Sequence, residues 1–451
     1  MTPGAEPGSG FHWPEALCAP VRELPDHARL WVALSGGLDS TLLLHLATHC
    51  HGGSRTVRAV HVNHQLQPNA SDTESFCRAL CARLDVPLVV ERVAVAATDN
   101  PESGGGIEEA ARKARYSVLE MLMQPRDLLL MAHHGDDQAE TVLFRMLRGS
   151  GVAGLAGMPA SRTLGAGALI RPLLGFERSE LEHWAWSAGL SWIDDPSNVD
   201  ERFDRNFLRH SVLPTLRDRW PGLNRRLRHS AGSCAESETL NRKLAALQWQ
   251  AIGGEHERLP VPGLKVLSLA EQKNLVRWWI RERGFHAPSV GDWQQVMQDL
   301  LFAGEDREPE FRSEGFSLRR FRGNLYLVPD RRALPEAPVT LEPGAVLKWG
   351  EWSISLEPAS TPETPLPPIR ITTRQGGERV RFRPGGPSRS LKKWLQEMAV
   401  PPWERARLPL VFAGSGEAAE LIAIGDLWCS EQYSGGADAA AWRLVVEREC
   451  D

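Results

Sequence analysis

The chain has no apolar run of about 18 residues, the length that spans a bilayer as a helix, so no membrane segment is expected. Its opening residues, MTPGAEPGSGFHWPEALCAP, carry neither the basic stretch nor the apolar core of a secretory signal. Cysteine is sparse: seven in 451 residues, an odd number, scattered, with no C-x-x-C pair. That excludes a disulfide framework and a paired-thiol metal or redox motif as organising features. Cys77 and Cys81 stand one helical turn apart in SDTESFCRALCARL and are expected as reduced core residues. These absences together point to a cytoplasmic protein. Positive charge is also not in excess, since 52 basic against 57 acidic residues leave a net charge of −5. Whole-molecule charge therefore argues nothing in favour of nucleic acid.

The basic residues are concentrated, however. Residues 201–230 hold eight arginines against three acids, and residues 370–394 hold eight lysines and arginines against one acid, Glu378. Two such segments on an acidic chain suit a polyanion, or else form a solvated charged face. Apolar patterning divides the rest. LWVAL, TVRAVHVN, LVVERVAV and DLLLMAHH are short β-like runs separated by helical stretches. That is the βαβ rhythm of an α/β fold with a doubly wound, mostly parallel sheet. Apolar residues at three- and four-residue steps predict a mainly helical region over 211–335, in which FSLRRFRGNLYLVPD reads as a hairpin turning at Gly323-Asn324. Residues 336–368 end in five prolines between Pro358 and Pro368 and read as a linker, and 369–451 as a small α+β domain. Residues 1–28 match no pattern and are expected as a disordered extension before a catalytic domain over 29–210. The 16 tryptophans are mostly expected in packing.

SGGLDS, Ser35 to Ser40, follows the first strand and opens a helix. At the carboxyl edge of a parallel sheet, Gly36 and Gly37 let backbone N–H groups converge on phosphate oxygens. The helix N-terminus and the hydroxyls of Ser35 and Ser40 add to that. The loop has no lysine and is not G-x-x-x-x-G-K-[ST], nor is it G-x-G-x-x-G. Asp39 beside a phosphate is repelled unless a cation intervenes, which suggests Mg²⁺ at Asp39. HVNHQL brings His61, Asn63 and His64 to the end of the second strand. GIEEAARKARY sets Glu108, Arg112 and Arg115 on one helical face, and AHHGDDQAETVLFRMLRGSG does the same for His133, Asp137 and Glu140, with Asp136 beside them. So many ionisable groups under a sheet edge are costly unless a substrate or cation uses them. DDPSNVDERFDRNFLRH adds Asp195, Asn198, Arg205, Asn206 and Arg209.

SGGLDS resembles the pyrophosphate-binding loop of the N-type ATP pyrophosphatases. Taken in order with HVNH, E-x-x-A-R-x-x-R-Y, AHHxDDQAET, RGSGxxGLxGM and DPSN…RNxxRH, and with RVRFRPGGPSRSLKKWLQEMAVPPWERARLPLVF in the tail, it resembles the tRNA(Ile)-lysidine synthetases, long bacterial form. The resemblance implies ATP and Mg²⁺ as cofactors, with Ser35, Gly36, Gly37, Leu38, Asp39, Ser40, His61 and Asn63 around the nucleotide. It implies an isoleucine tRNA with a CAU anticodon and free L-lysine as substrates. The wobble cytidine would be adenylated at its 2-oxo group and lysine would then displace AMP, so that AUA is read instead of AUG. Asp39, Arg112, His133, Asp137 and Glu140 would carry the chemistry, with Asp137 and Glu140 holding lysine and taking its proton. Arg112 and Arg205 suit the lysine carboxylate or the adenylate phosphate, and Asn206 and Arg209 stand with them. Gln65 and Gln67 depart from the Gly and Arg of HVNHGLR. Arg379, Arg381 and Arg383 alternate as on one face of a strand, and Lys392 and Lys393 follow on a helix; they suit tRNA phosphates. Another base-modifying enzyme of the superfamily, such as a thiolase, and a non-catalytic tRNA-binding protein are the alternatives. Monomer and homodimer both stay open.

Overall fold

A computed structural model describes residues 11–51, 57–65, 70–93, 107–194, 204–288, 290–304, 307–358, 368–383, 385–414, 419–434 and 442–449. Gln67, Asp195 and Asn198 lie outside them. The chain forms two compact units, Met1–Asn241 and Arg242–Asp451.

The first unit is built on strands β1 (Leu30–Ala33), β2 (Val57–Asn63), β3 (Leu88–Arg92), β4 (Leu128–Leu130), β5 (Ser161–Leu164) and β6 (Gly167–Ile170). They lie in the order β3-β2-β1-β4-β6-β5, and every pairing is parallel except β5 with β6. The described helices are α1 (Glu15–Arg22), α2 (Leu38–Cys50), α3 (Ala70–Arg83), α4 (Ile107–Leu122), α5 (Gly135–Leu147), α6 (Val152–Leu155), α7 (Arg178–Ser187), α8 (Asp204–Phe207), α9 (Leu213–Arg219) and α10 (Leu223–Ala251), whose residues after Asn241 count with the second unit, with a π-helical turn at Leu208–Val212. Successive side chains of a strand go to opposite faces. Leu30 and Val32 join a core with Leu42, Leu46, Cys77, Leu80 and Leu181 from α2, α3 and α7. Trp31 joins Val60, Leu129 and Leu169 against Leu119 of α4 and Met123 just after it on the other face. Burial on both faces explains why the strands read as continuous apolar runs. β1 and β4 are neighbours whose onward connections diverge, so their carboxyl ends open a crevice at the switch point of the sheet.

Several expectations need correction. Residues 15–22, within the segment expected to be disordered, form α1, which buries Leu17, Cys18 and Val21 in the first core. Residues 161–170 form the β5–β6 hairpin, although RTLGAGALI is too short and too rich in glycine to register as strands in the sequence. α5 begins at Gly135, so His133 stands in the preceding turn and does not share a helical face with Asp137 and Glu140. Cys77 and Cys81 are buried and unpaired, and burial pushes both thiols up to about 12.

In the second unit, helix Leu269–Glu282 starts at Ser268 with a reciprocal cap to Glu271 and packs Leu275, Val276 and Trp279 on Leu318 and Leu325. Those two residues belong to a four-stranded sheet within the region read as helical. Its hairpin turns at Arg322-Gly323, one residue earlier than expected, with φ of 44° and 75°, as a two-residue hairpin turn requires. Residues 339–358, read as linker, supply three strands to the five- and three-stranded sheets of the β-rich tail. The tail strand expected across Arg379, Arg381 and Arg383 ends at Val380. The alternation persists regardless: Val380 is buried, Phe382 packs on Trp394 and Trp428, and Arg379, Arg381 and Arg383 are exposed, as are Lys392 and Lys393.

Candidate active site

The Ser35–Ser40 loop leaves β1 at the crevice. Gly36 has a φ of +84°, and a Cβ there would stand 3.0 Å from Thr73 Cγ2, so the position needs glycine on both counts. The backbone is fixed from within. Ser35 N donates to Ser40 Oγ at 3.1 Å, Ser40 Oγ donates to the Gly37 carbonyl at 3.1 Å, and the two hydroxyls meet at 2.9 Å. From outside, Ile193 N donates to the Gly36 carbonyl at 2.9 Å. Gly37 caps α2 without a side chain of its own, which leaves the helix N-terminus open to an anion. His61 and Asn63 stand behind the loop and face the protein. His61 Nδ1 is 2.8 Å from the Leu34 carbonyl, and Asn63 donates to Glu74 at 3.1 Å while accepting from Gln65 N at 2.9 Å. Gln65 has a φ of +56°, which accounts for the glycine expected at that place.

α5 enters the crevice from β4. Gly135 N donates to the Phe176 carbonyl at 2.7 Å, and a Cβ on Gly135 would meet that oxygen at 2.9 Å. Only glycine lets the helix start this close to the chain after β6. The consequence is a knot of charge. The buried His134 ring lies 3.4 Å from Asp137, 3.7 Å from Asp136 and 3.8 Å from Asp39. Arg178 reaches Asp39 at 3.1 Å, Arg217 reaches Asp136 at 2.6 Å, and Arg209 holds Glu140 at 2.6 Å and Asp137 at 3.1 Å. Arg209 sits in the π-helical turn, a distortion that often marks functional sites.

The pairing is incomplete. Asp39 Oδ1 and His134 Nδ1 are buried without a hydrogen-bond partner. Burial raises the Asp39 carboxyl above its ordinary value although His134 and Arg178 pull the other way, and burial likewise raises Glu140 against Arg209. Asp137 is held below the usual range, because His134, His133 and Arg209 outweigh its burial. His133 accepts from Arg171 Nε at 3.1 Å and is pushed down by burial, so it is neutral at pH 7.

The sequence-predicted residues thus divide. Asp39, Asp137, Glu140 and Arg209 come together at the loop. Arg112 lies in a basic cleft over Tyr116, at 5.2 Å, and Arg205 faces Phe144 at 6.0 Å. Arg379, Arg381, Arg383, Lys392 and Lys393 belong to the second unit. The structure adds His134, Arg171, Arg178 and Arg217 to the site. His134 was within the quoted motif, but nothing local marks the arginines, which reach the site from 38 to 139 residues away.

Three family models match this chain: a PP-loop domain over residues 15–216, a TilS substrate binding domain over 259–326 and a TilS substrate C-terminal domain over 369–446. A tRNA(Ile)-lysidine synthase of Coxiella burnetii is 36% identical over 448 residues, covering 96% of each chain. The chain belongs to the tRNA(Ile)-lysidine synthase family. Further members are similar: that of Serratia proteamaculans is 39% identical, with 94% of this chain and 97% of the relative covered, and that of Pseudomonas aeruginosa is 40% identical, with 88% and 89% covered. As a member with a PP-loop domain, it is an ATP-dependent ligase that modifies tRNA. Among the described residues no helix is long and apolar enough to cross a membrane.

Proposed function

We propose that this chain joins free L-lysine to C2 of the wobble cytidine of the CAU-anticodon isoleucine tRNA in the cytoplasm, and that the crevice between β1 and β4 is where both steps occur. The observation that carries this reading is the acid knot beside an open helix N-terminus: four carboxylates, of which Asp39 keeps a buried, unpartnered oxygen.

In the first step the cytidine 2-oxo oxygen attacks the α-phosphorus of ATP, the bond to the β-phosphate breaks and pyrophosphate leaves. The open N-terminus of α2 directs N–H groups at the phosphates, where negative charge grows, and the Ser35 and Ser40 hydroxyls exchange their bonds within the loop for bonds to phosphate oxygens. The free Asp39 oxygen fits a divalent cation. Mg²⁺ is bound through one or two carboxylates plus substrate phosphates, and at Asp39 it would neutralise the departing pyrophosphate. In the second step the lysine ε-amine attacks C2, the C2–O bond breaks and AMP leaves with the oxygen. Asp137 and Glu140 hold lysine's ammonium and take its proton, and a Glu140 carboxyl raised by burial is the better proton acceptor. Arg209 keeps these two acids oriented until the substrate amine arrives. Arg112 and Arg205 suit lysine's carboxylate or the adenylate phosphate. The exposed Arg379, Arg381, Arg383, Lys392 and Lys393 track tRNA phosphates from a C-terminal tRNA-binding domain, which follows the catalytic domain and a mainly helical tRNA-binding domain.

Release of AMP that requires both tRNA and lysine tests the reading. Pyrophosphate release with tRNA, followed by AMP release only on adding lysine, is the expected result. AMP release indifferent to lysine, or incorporation of sulfur, overturns it.

A further inference from the structure

Beside the acid knot, on the α4 side of the sheet, a cleft of about 320 Å³ is lined by Arg112, Lys113, Arg145, Arg162, Arg171 and Tyr116. Among the described residues none of these five cations has a carboxylate within ion-pair distance, whereas Arg178, Arg209 and Arg217 each have one. Four of the five are nonetheless held in place. Arg171, only 5% exposed, donates to the Pro159 carbonyl at 2.8 Å and to His133 at 3.1 Å. Arg145 donates to the carbonyls of Gly154 at 2.9 Å and Gly157 at 2.8 Å. Arg112 and Arg162 stand over the Tyr116 ring at 5.2 and 4.8 Å. Carbonyls and a ring face orient these guanidiniums without cancelling their charge, so among the described residues the cleft has a fixed positive field that no carboxylate answers. That field holds the Tyr116 phenol below its ordinary value although burial works against it.

The occupant is polyanionic. Free lysine can meet Arg112 with its carboxylate, but that single negative charge leaves the other four cations unanswered, and they repel its ammonium. The phosphates of ATP belong to the loop before α2, which packs on the opposite face of the sheet from α4. An RNA strand that delivers a base to the crevice brings its flanking phosphates to this same edge, because Arg171 is bonded to His133 and the next residue, His134, is in the acid knot. We propose that this cleft is a subsite for backbone phosphate of the RNA strand flanking the modified cytidine. The proposal rests on the function given above.

The test uses the full chain and anticodon stem-loop RNAs in which single phosphates flanking the wobble cytidine are replaced by uncharged methylphosphonates. With the wild type, at least one neutral linkage should weaken binding and flatten the log K against log salt slope by about 0.7. In Lys113→Gln/Arg162→Gln the slope should start flatter, and the same linkage should cost nothing further. Affinity for a non-hydrolysable ATP analogue should not change. Indifference of the wild type to every neutral linkage overturns the proposal, as does an equal penalty in wild type and variant, or a loss of analogue affinity with RNA binding retained. The wild-type scan stands even if the variant does not fold. If linkage sensitivity is found but no lysine is incorporated, the proposed reaction fails while the RNA subsite stands.

Discussion

Each unit contains a cluster of acids crossed by arginines, and the two clusters are opposites. In the second unit Arg331 joins Glu351 at 3.0 Å and also pairs with Glu404, Arg407 reaches Glu351 at 2.6 Å, and Arg448 reaches Glu404 at 2.7 Å. No carboxylate oxygen of this cluster is buried without a partner. Burial works to raise Glu351 and Glu404, but the arginine hydrogen bonds win and both carboxyls lie below their ordinary value. In the first unit burial wins at Asp39 and Glu140, and atoms of Asp39 and His134 go unsatisfied. A closed network with depressed pKa values has spent its charges on the fold. An open one, with raised pKa values and spare lone pairs, is held ready for a ligand.

The largest effect should come from opening the comparison at Asp39. Asp39→Asn should lower tRNA-dependent pyrophosphate release about 10²–10³-fold, the scale of losing one preorganised electrostatic contact. The melting temperature and tRNA affinity should hardly change. Near-normal pyrophosphate release would place the charge handling elsewhere.

Glu404→Gln should show the reverse: adenylation chemistry retained and stability reduced by about 2–3 kcal/mol, since Arg331 and Arg448 lose a half-buried partner. Chemical denaturation followed by tryptophan fluorescence reads this. Acid should mimic it. Because the folded pKa values of Glu351 and Glu404 are depressed, their stabilisation is fully present above the unfolded value of 4.5 and disappears as pH falls through the folded values. A variant as stable as the wild type at pH 7 would show that the closed network is not structural.

Glu140→Gln should slow lysine transfer about tenfold more than it slows pyrophosphate release, so that adenylated tRNA accumulates in a quenched time course. Equal slowing of both steps would move the lysine contact away from this acid. The smallest effect concerns the cations that neither cluster engages. Alanine at Arg381, Arg383 and Lys392 should flatten the salt dependence of tRNA binding by up to about 2–3 units, with ATP affinity unchanged. An unchanged slope with lowered stability would make these residues structural.

The acids of the first cluster were legible because they fall within a few residues of two apolar strands, and a strand followed by a glycine turn or a helix cap has one end to which its side chains can be delivered. The parallel sheet was legible from apolar runs that only burial on both faces explains. The hairpin of β5 and β6 was hidden in RTLGAGALI, where glycine masks strand propensity, and the strands within 339–358 were hidden by the prolines that follow them.

Sequence alone determined the family, the phosphate loop and the presence of Asp39, Asp137 and Glu140, since spacing along one strand and one turn is a local property of the chain. Only tertiary structure decided which cations answer them. Arg178 comes to Asp39 across 139 residues, Arg217 to Asp136 across 81 and Arg209 to Glu140 across 69. It also decided that Arg112 faces a cleft of like charge and not the acids. Charge pairing is fixed by distance in space, and below the level of the fold the chain carries no record of that distance.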